Sequence, residues 1–218
     1  MSKQIISTIL LLLVYVANYL WVNGYLWASQ MELASTFPFA FMPDGIVFGV
    51  AWTTIYILLM VYLIYGRSES GKSSKIYQAT QPRFQISCLL NIFWMIATGR
   101  ERYVVSVALI WWLRAVLAQM LNIIHTNTKG VWDKKHFRAV LVPFGIYYGW
   151  ISLASSTVWL SQLLYQANVD FSLWQIWSII VVILWLLVSV YSRLRWKNIW
   201  QLIISLRAIW GILFALLN

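Results

Sequence analysis

Long apolar stretches separated by short polar segments make up most of the chain. The seven apolar stretches are 5–22, 45–65, 84–99, 103–124, 139–165, 173–191 and 198–217. A helix needs about 20 apolar residues to cross a bilayer, and its backbone must satisfy its own hydrogen bonds there. We therefore predict an all-α, polytopic transmembrane bundle with seven spans. The third stretch is short and is separated from the fourth by residues 100–102 alone, so we expect a helical hairpin with a tight turn.

The basic residues between these stretches fall mainly on one side of the predicted membrane. That side has twelve: Lys3, Arg67, Lys72, Lys75, Arg83, Lys129, Lys134, Lys135, Arg138, Arg193, Arg195 and Lys197. The other side has two, Arg100 and Arg102. Cytoplasmic loops are enriched in Lys and Arg. This asymmetry predicts a cytoplasmic N-terminus and an external C-terminus, and we expect an integral protein of a bacterial inner (plasma) membrane.

Composition excludes several other classes of protein. Hydrophobic residues make up 61% of the 218 residues and charged residues 10%, whereas soluble domains have about 25% charged residues. The net charge of +10 comes from inter-helix loops, so we expect no nucleic-acid partner. Cys88 is the lone cysteine and cannot form an intramolecular disulfide. We interpret residues 1–218 as a single domain and residues 5–22 as an uncleaved first span.

Residues that support catalysis are missing from the predicted spans. All seven lysines lie outside them, which argues against a retinal Schiff base. His125 and His136 both fall in one predicted cytoplasmic loop, which argues against a histidine-ligated zinc site in the membrane. No span has Asp or Glu near its centre. We therefore predict that the chain is not an enzyme and has no metal site or catalytic residues.

Two arginines near the centres of spans are the most unusual charged residues. Arg114 lies in the fourth stretch and Arg207 in the seventh, each three residues from a tryptophan, Trp111 and Trp210. This spacing suits cation–π contact on one helix face. An arginine at this depth needs an anion, polar groups or water. It either binds an anionic ligand or an acidic group of a partner helix, or is capped by backbone carbonyls and neighbouring polar side chains.

Other polar and small residues in the spans favour helix packing. The fifth stretch has one stripe of small residues: Gly145, Gly149, Ser152 and Ser156. Such a stripe lets a second helix approach closely. Three asparagines also lie in spans: Asn18, Asn91 and Asn122. We expect them to form hydrogen bonds between helices, because an unpaired amide is costly in lipid.

Three short motifs carry a resemblance to a known family. The second stretch has Pro43 followed by Phe48-x3-Trp52-Thr53-x2-Tyr56, the third has Leu89-x-Asn91-x2-Trp94, and the fifth has Leu141-x-Pro143-Phe144. In order and separation these motifs resemble those of the TspO/translocator-protein family, the tryptophan-rich sensory proteins. The resemblance covers residues 1–165, and residues 166–218 would add two spans to a five-helix core. The chain has Ser155 and Ser156 where the family usually has an asparagine, and Tyr147 where it tends to have a tryptophan.

The resemblance implies a ligand site between the helices. Members of the family bind tetrapyrroles and other hydrophobic aromatic molecules beneath a lid formed by the first loop, and they are often dimeric. It implies that the apolar segment 23–44 is the lid and that Trp52, Asn91 and Trp94 line or support the pocket. To these ligand-binding candidates we add four residues: Trp111, Arg114, Tyr147 and Arg207.

We therefore expect a carrier or sensor in the bilayer that binds a hydrophobic, anionic or aromatic ligand. A tetrapyrrole is the candidate ligand, and no cofactor is otherwise implied. If Arg114 holds the ligand, Arg114→Leu would abolish binding without unfolding the protein. The alternative is a non-catalytic scaffold subunit, in which the arginines pair with acidic residues of a membrane partner. A homodimer is compatible with both functions.

Overall fold

A computed structural model describes four segments of the chain: residues 3–25, 45–128, 137–166 and 174–196, with isolated residues 32, 199, 203 and 206. The described residues form helices joined by short turns, and none of them is in a strand. The all-α class is therefore confirmed for this part of the chain. Nearly all of the predicted seventh stretch and of the predicted lid lies outside the described residues.

Seven α-helices and one π-helical turn follow each other along the described segments. They are α1 (Lys3–Val22), α2 (Gly45–Arg67), α3 (Glu69–Ser73), α4 (Lys75–Gly99), α5 (Tyr103–Thr128), the π-turn (Phe137–Leu141), α6 (Val142–Gln166) and α7 (Trp174–Trp196). Helices α1, α2, α4, α5, α6 and α7 correspond to the first six predicted stretches, and α3 is a single short turn between α2 and α4.

Four of these segments are long and apolar enough to cross a membrane. They are Lys3–Val22, Gly49–Arg67, Tyr103–Thr128 and Arg138–Thr157. Their exposed surfaces are rich in large hydrophobic side chains, such as Leu12 on α1 and Ile57 on α2. In a bilayer these side chains face lipid rather than water, so the chain is an integral membrane protein.

Helix α4 corrects one predicted boundary. The apolar pattern predicted a short span beginning at residue 84, but the helix begins at Lys75 and includes Arg83. The Ser74 hydroxyl accepts a hydrogen bond from the backbone N–H of Tyr77 and so caps the first turn, 3.2 Å away. Hydropathy marks the part of a helix that lies in lipid, whereas this cap decides where the helix starts.

Helix α5 also continues beyond its predicted end. The apolar stretch stopped at residue 124, and His125 was predicted to lie in a loop, but the helix ends at Thr128 and includes His125 in its last turn. Thr126 and Asn127 extend the turn by donating to backbone carbonyls of the same helix. The placement of His125 in a loop was therefore wrong, and His136 lies outside the described residues.

The tight turn between α4 and α5 is confirmed. Glu101 adopts a left-handed backbone with φ of 57°, which reverses the chain within three residues. The N–H of Arg102 donates to the carbonyl of Ala97 across the turn, 2.8 Å away. Beneath it, the hydroxyls of Thr98 and Ser106 lie 2.6 Å apart and join the two helices. This hairpin is the centre of the bundle, against which α1 and α6 pack.

Helix α1 is joined to α4 by hydrogen bonds between side chains. The Ser7 hydroxyl is fully buried and accepts from the amides of Gln81 and Gln85, at 3.4 and 3.0 Å. Gln85 also donates to the carbonyl of Lys3. Only 22% of the most apolar window of α1 is buried, so apolar contact on this helix is limited. Polar bonds between helices therefore fix its position.

The corner formed by α2, α3 and α4 has little free space. Ser68 caps α3 by accepting from the N–H of Gly71, and the Lys72 ammonium lies 2.7 Å from the Glu69 carboxylate. The hydrogen bond from the Lys72 ammonium lowers the pKa of Glu69. A Cβ atom at Gly71 would lie 1.9 Å from the backbone oxygen of Tyr65. Glycine is therefore required at this position by space rather than by backbone conformation.

Gly71→Ala is expected to destabilise the protein, because the added methyl group forces the α2 and α3 backbones apart. Overpacking of this kind costs about 1–3 kcal/mol. Gly49→Ala is the matched control, since its Cβ would meet no atom within 4 Å. Thermal unfolding in mild detergent should show a lower Tm for Gly71→Ala and an unchanged or higher Tm for Gly49→Ala. Equal Tm values for the two variants would contradict the close approach at Gly71.

Candidate functional site

Six aromatic residues from four helices meet in the core, and we call them the aromatic cluster. They are Trp21 of α1, Trp52 and Tyr56 of α2, Trp94 of α4, and Tyr147 and Trp150 of α6. Each has less than a tenth of its surface exposed. The cluster thus combines residues that are far apart in the sequence.

Helical spacing explains how two of these helices each present a pair of rings. Trp52 and Tyr56 are four residues apart on α2, and their rings stack with centroids 5.5 Å apart. Tyr147 and Trp150 are three residues apart on α6, and both meet Trp52 edge to face, at 6.2 and 6.4 Å. Trp52 is consequently the central ring of the cluster.

Helices α1 and α4 complete the cluster on its other side. Trp94 stacks with Trp52 at a centroid distance of 6.4 Å and meets Trp21 edge to face at 5.4 Å. Stacked and edge-to-face arrangements are the favoured geometries for aromatic pairs. The cluster therefore has rings on several sides, which suits contact with a flat aromatic molecule.

Polar groups lie next to these rings on α4. Cys88 and Asn91 are both buried and are three residues apart on one face of the helix. The Asn91 amide and the Cys88 thiol are electrostatic neighbours of the Tyr56 and Tyr147 hydroxyls. A few convergent polar groups in an apolar surround are typical of small-molecule sites.

Three polar atoms in or beside the aromatic cluster have no hydrogen-bond partner among the described residues. They are the Asn91 Oδ1, the Trp94 Nε1 and the Tyr56 hydroxyl. Buried polar groups without partners are rare and costly in proteins. Their concentration beside the aromatic cluster marks this place as a candidate ligand site.

The structure brings four of the predicted site residues together and separates the others. Trp52, Asn91, Trp94 and Tyr147 all belong to the aromatic cluster or its polar neighbours. Trp111 and Arg114 lie on the flank of α5, and no ring contact among the described residues joins them to the cluster. Arg207 lies outside the described residues.

The predicted cation–π contact of Arg114 is confirmed. Its guanidinium lies 4.8 Å from the centre of the Trp111 ring, which is 40% exposed. Arg114 is half-buried, and no described residue forms a hydrogen bond or an ion pair with it. One and two turns further along the same flank are Ala118 and Asn122, and Asn122 accepts a hydrogen bond from Arg195 of α7. Arg114 therefore lies on the side of α5 that α7 approaches.

Two of the three predicted inter-helix asparagine contacts are observed. The Asn18 amide of α1 donates to the sulfur of Met95 on α4, 3.8 Å away, and Asn122 bonds to Arg195. Asn91 makes no such bond through its oxygen. The predicted small-residue stripe of α6 is buried or half-buried, as close helix packing requires: Gly145, Gly149, Ser152 and Ser156.

Sequence analysis missed four residues that the structure places in or beside the cluster: Trp21, Tyr56, Cys88 and Trp150. Two of them follow a predicted site residue by one helical turn, so helical spacing could have identified Tyr56 and Trp150. Among the described residues, no group of three or more His, Cys, Asp or Glu could hold a metal ion.

No curated protein and no solved structure gives a significant match. A family model described as TSPO-like protein matches residues 4–217, which includes the part of the chain after residue 165. The match covers nearly the full length and agrees with the motifs around Trp52, Asn91 and Pro143. The chain belongs to the TSPO-like protein family.

Proposed function

We propose that this membrane protein binds a flat hydrophobic ligand of the tetrapyrrole class at the aromatic cluster, as a carrier or sensor. The observation that supports this most strongly is the set of buried, unpartnered polar atoms on Asn91, Trp94 and Tyr56 beside stacked rings. A conjugated ring would stack on Trp52, and its polar edge would supply the missing hydrogen-bond partners. The cost of leaving these groups unpaired would then be relieved when ligand binds.

The position of the cluster in the bundle supports entry from one end. Trp21 is the penultimate residue of α1, and Trp52 is the fourth residue of the membrane-crossing segment of α2, Gly49–Arg67. Segment 23–44 joins these two helices, so both of its attachment points lie at the end of the bundle that holds the cluster. We propose that this segment covers the ligand. With a cytoplasmic N-terminus in a bacterial inner membrane, the site opens on the external face.

The proposed activity is binding without catalysis. In the part of the chain that the structure describes, the residues beside the cluster are aromatic side chains, one amide and one thiol, with no carboxylate or histidine among them. The rings contact one another directly in this structure, so ligand must replace some ring–ring contacts as it enters. A tetrapyrrole is accordingly proposed as ligand and not as a resident cofactor.

Arg114 supports a second candidate function, that of a scaffold subunit in a membrane complex. All six acidic residues of the chain lie outside the central parts of the apolar stretches: Glu32, Asp44, Glu69, Glu101, Asp133 and Asp170. Glu101, in the turn before α5, is 13 residues away, about 20 Å along the helix axis. Among the described residues, no carboxylate therefore lies at the depth of the Arg114 guanidinium. An acidic group on a partner helix would satisfy it.

Trp94→Phe is expected to weaken porphyrin binding, because it keeps an aromatic ring but removes the buried N–H group. The loss of one hydrogen bond corresponds to a decrease in affinity of about three- to tenfold. Trp112→Phe is the matched control, since Trp112 is 60% exposed on α5. Titration in mild detergent, followed by porphyrin absorbance, should show saturable binding in the wild type and the control. A wild type that shows no saturable change would contradict the proposed function.

Asn91→Leu is expected to lower the Tm of the ligand-free protein less than Thr80→Val does, because the Asn91 oxygen has no partner to lose. The same variant should bind porphyrin more weakly. Thr80→Val is the comparison, since it removes the 2.9 Å hydrogen bond between the buried Thr80 and Tyr62 hydroxyls. That loss costs about 1–3 kcal/mol and should lower the Tm. A large fall in Tm for Asn91→Leu would show that this residue is structural.

Arg114→Leu distinguishes the ligand and scaffold functions of this arginine. Because Arg114 lies apart from the aromatic cluster, we expect the variant to retain porphyrin binding and to lose a co-purifying membrane partner. Affinity purification from the native membrane, compared with the same porphyrin titration, measures both effects. Loss of porphyrin binding in a folded Arg114→Leu protein would instead place the ligand beside α5.

A further inference from the structure

The described side chains of helix α7 that are buried against the bundle form one narrow stripe. Its described buried residues are Trp185, Ser189, Ser192 and Trp196, at spacings of four, three and four. Neighbouring side chains such as Leu187 and Leu194 are exposed. The described part of the α7 contact surface therefore consists of two tryptophans and two serines, which is unusually polar for a helix in lipid.

One aromatic contact fixes how α7 lies against α6. Tyr148 of α6 and Trp196 of α7 meet edge to face with ring centroids 5.4 Å apart. The two helices run antiparallel, since the beginning of α6 meets the end of α7. Each helix rises 1.5 Å per residue, so four residues along α6 and four residues back along α7 reach the same level. This register places Ser152 opposite Ser192.

Ser152 and Ser192 differ from the other described serines on the same helices. Ser155 and Ser156 donate to the carbonyl of Ser152, and Ser189 donates to that of Trp185, so each bonds to its own helix. Ser152 and Ser192 are fully buried, and their hydroxyls bond to no described residue. Because they do not turn back to their own backbones, their hydroxyls are available to the space between the helices.

The two tryptophans of the stripe also lack hydrogen-bond partners. The indole N–H groups of Trp185 and Trp196 are buried and have no acceptor among the described residues. Ser152, Ser192 and Trp196 thus present unpaired hydrogen-bonding groups within about one helical turn of each other, and Trp185 presents another about 10 Å further back along α7. We call these four residues the α6–α7 seam. Native structures tolerate such groups when an unobserved molecule supplies the missing partners.

We propose that ordered water molecules occupy the α6–α7 seam and bridge Ser152 to Ser192, with further bonds from the indole N–H groups. Water both donates and accepts, as the two hydroxyls require, whereas the indoles only donate. It is also small enough to lie between helices in close contact, and a buried water needs two to four polar partners. No acidic or basic side chain belongs to the seam, so a bound ion would have no compensating charge. This site is separate from the aromatic cluster and does not depend on the proposed function.

A double-mutant cycle in the full chain tests the bridge. Ser152→Ala and Ser192→Ala should each lower the Tm, because each breaks the bridge and leaves the opposite hydroxyl without a partner. The double variant should have a Tm no lower than that of the less stable single variant. Once one serine is replaced, the hydroxyl of the other is already unpaired, so its removal costs nothing further. Ser87→Ala is the control: Ser87 is fully buried on α4 and donates to the carbonyl of Phe84. Its effect should add to that of Ser192→Ala.

Opposite results would overturn the proposal. If the seam is dry, removing an unpaired hydroxyl should raise the Tm in each single variant, and the effects should add. Hydroxyl-radical footprinting by X-ray radiolysis gives a second readout that does not depend on stability. Bound water beside an indole generates radicals in place, so Trp196 should be oxidised in the wild type and less so in the Ser152→Ala, Ser192→Ala double variant. No oxidation of the buried Trp185 and Trp196 would also exclude the water.

Discussion

Polar groups buried among the helices of this chain cannot turn to bulk water, so each needs a partner within the protein or a bound molecule. Where such a group finds its partner on a neighbouring helix, the hydrogen bond joins the two helices. Ser7 binds α1 to α4 through Gln81 and Gln85, and Thr98 binds α4 to α5 through Ser106. Apolar packing alone distinguishes poorly between a neighbouring helix and lipid, because both are hydrocarbon. The hydrogen bonds therefore decide which faces meet.

Two groups of exceptions to this rule among the described residues are informative. Asn91, Trp94 and Tyr56 lack partners beside the aromatic cluster, and Ser152 and Ser192 lack them between α6 and α7. The first group is surrounded by stacked rings and suits a ligand with a conjugated plane and a polar edge. The second group lies in a narrow contact between two helices and suits water. The surroundings, rather than the unpaired atoms themselves, distinguish the two sites.

The sequence predicted where the helices lie along the chain better than it predicted which helix faces contact each other. Apolar stretches located six of the described helices, and the spacing of Trp111 and Arg114 predicted their contact, because both are local properties of one helix. The start of α4 at Lys75 was missed, since a serine cap and not hydropathy determines it. The partners of Trp52 on α4 and α6 depend on how distant helices pack, and a single sequence does not contain that information. The register of Ser152 with Ser192 has the same origin.

The arrangement separates two kinds of interaction on different sides of the bundle. The aromatic cluster lies between α1, α2, α4 and α6, whereas Arg114 and the exposed Trp111 lie on the flank of α5 that α7 approaches. A ligand held by rings and a partner held by a guanidinium could then act on the same protein without competing for one site. Membership of the TSPO-like family is compatible with this division, since the family match spans both regions.

Photo-crosslinking tests most directly whether ligand binds between the helices. A porphyrin with a photoactivatable group would be bound to the purified protein, irradiated, and mapped by peptide mass spectrometry. Binding at the aromatic cluster predicts adducts on the α2 peptide around Trp52 and the α4 peptide around Trp94, both suppressed by excess unlabelled porphyrin. Adducts confined to lipid-facing residues of α5 such as Val104 and Trp112, or adducts that unlabelled porphyrin does not suppress, would contradict a site between the helices.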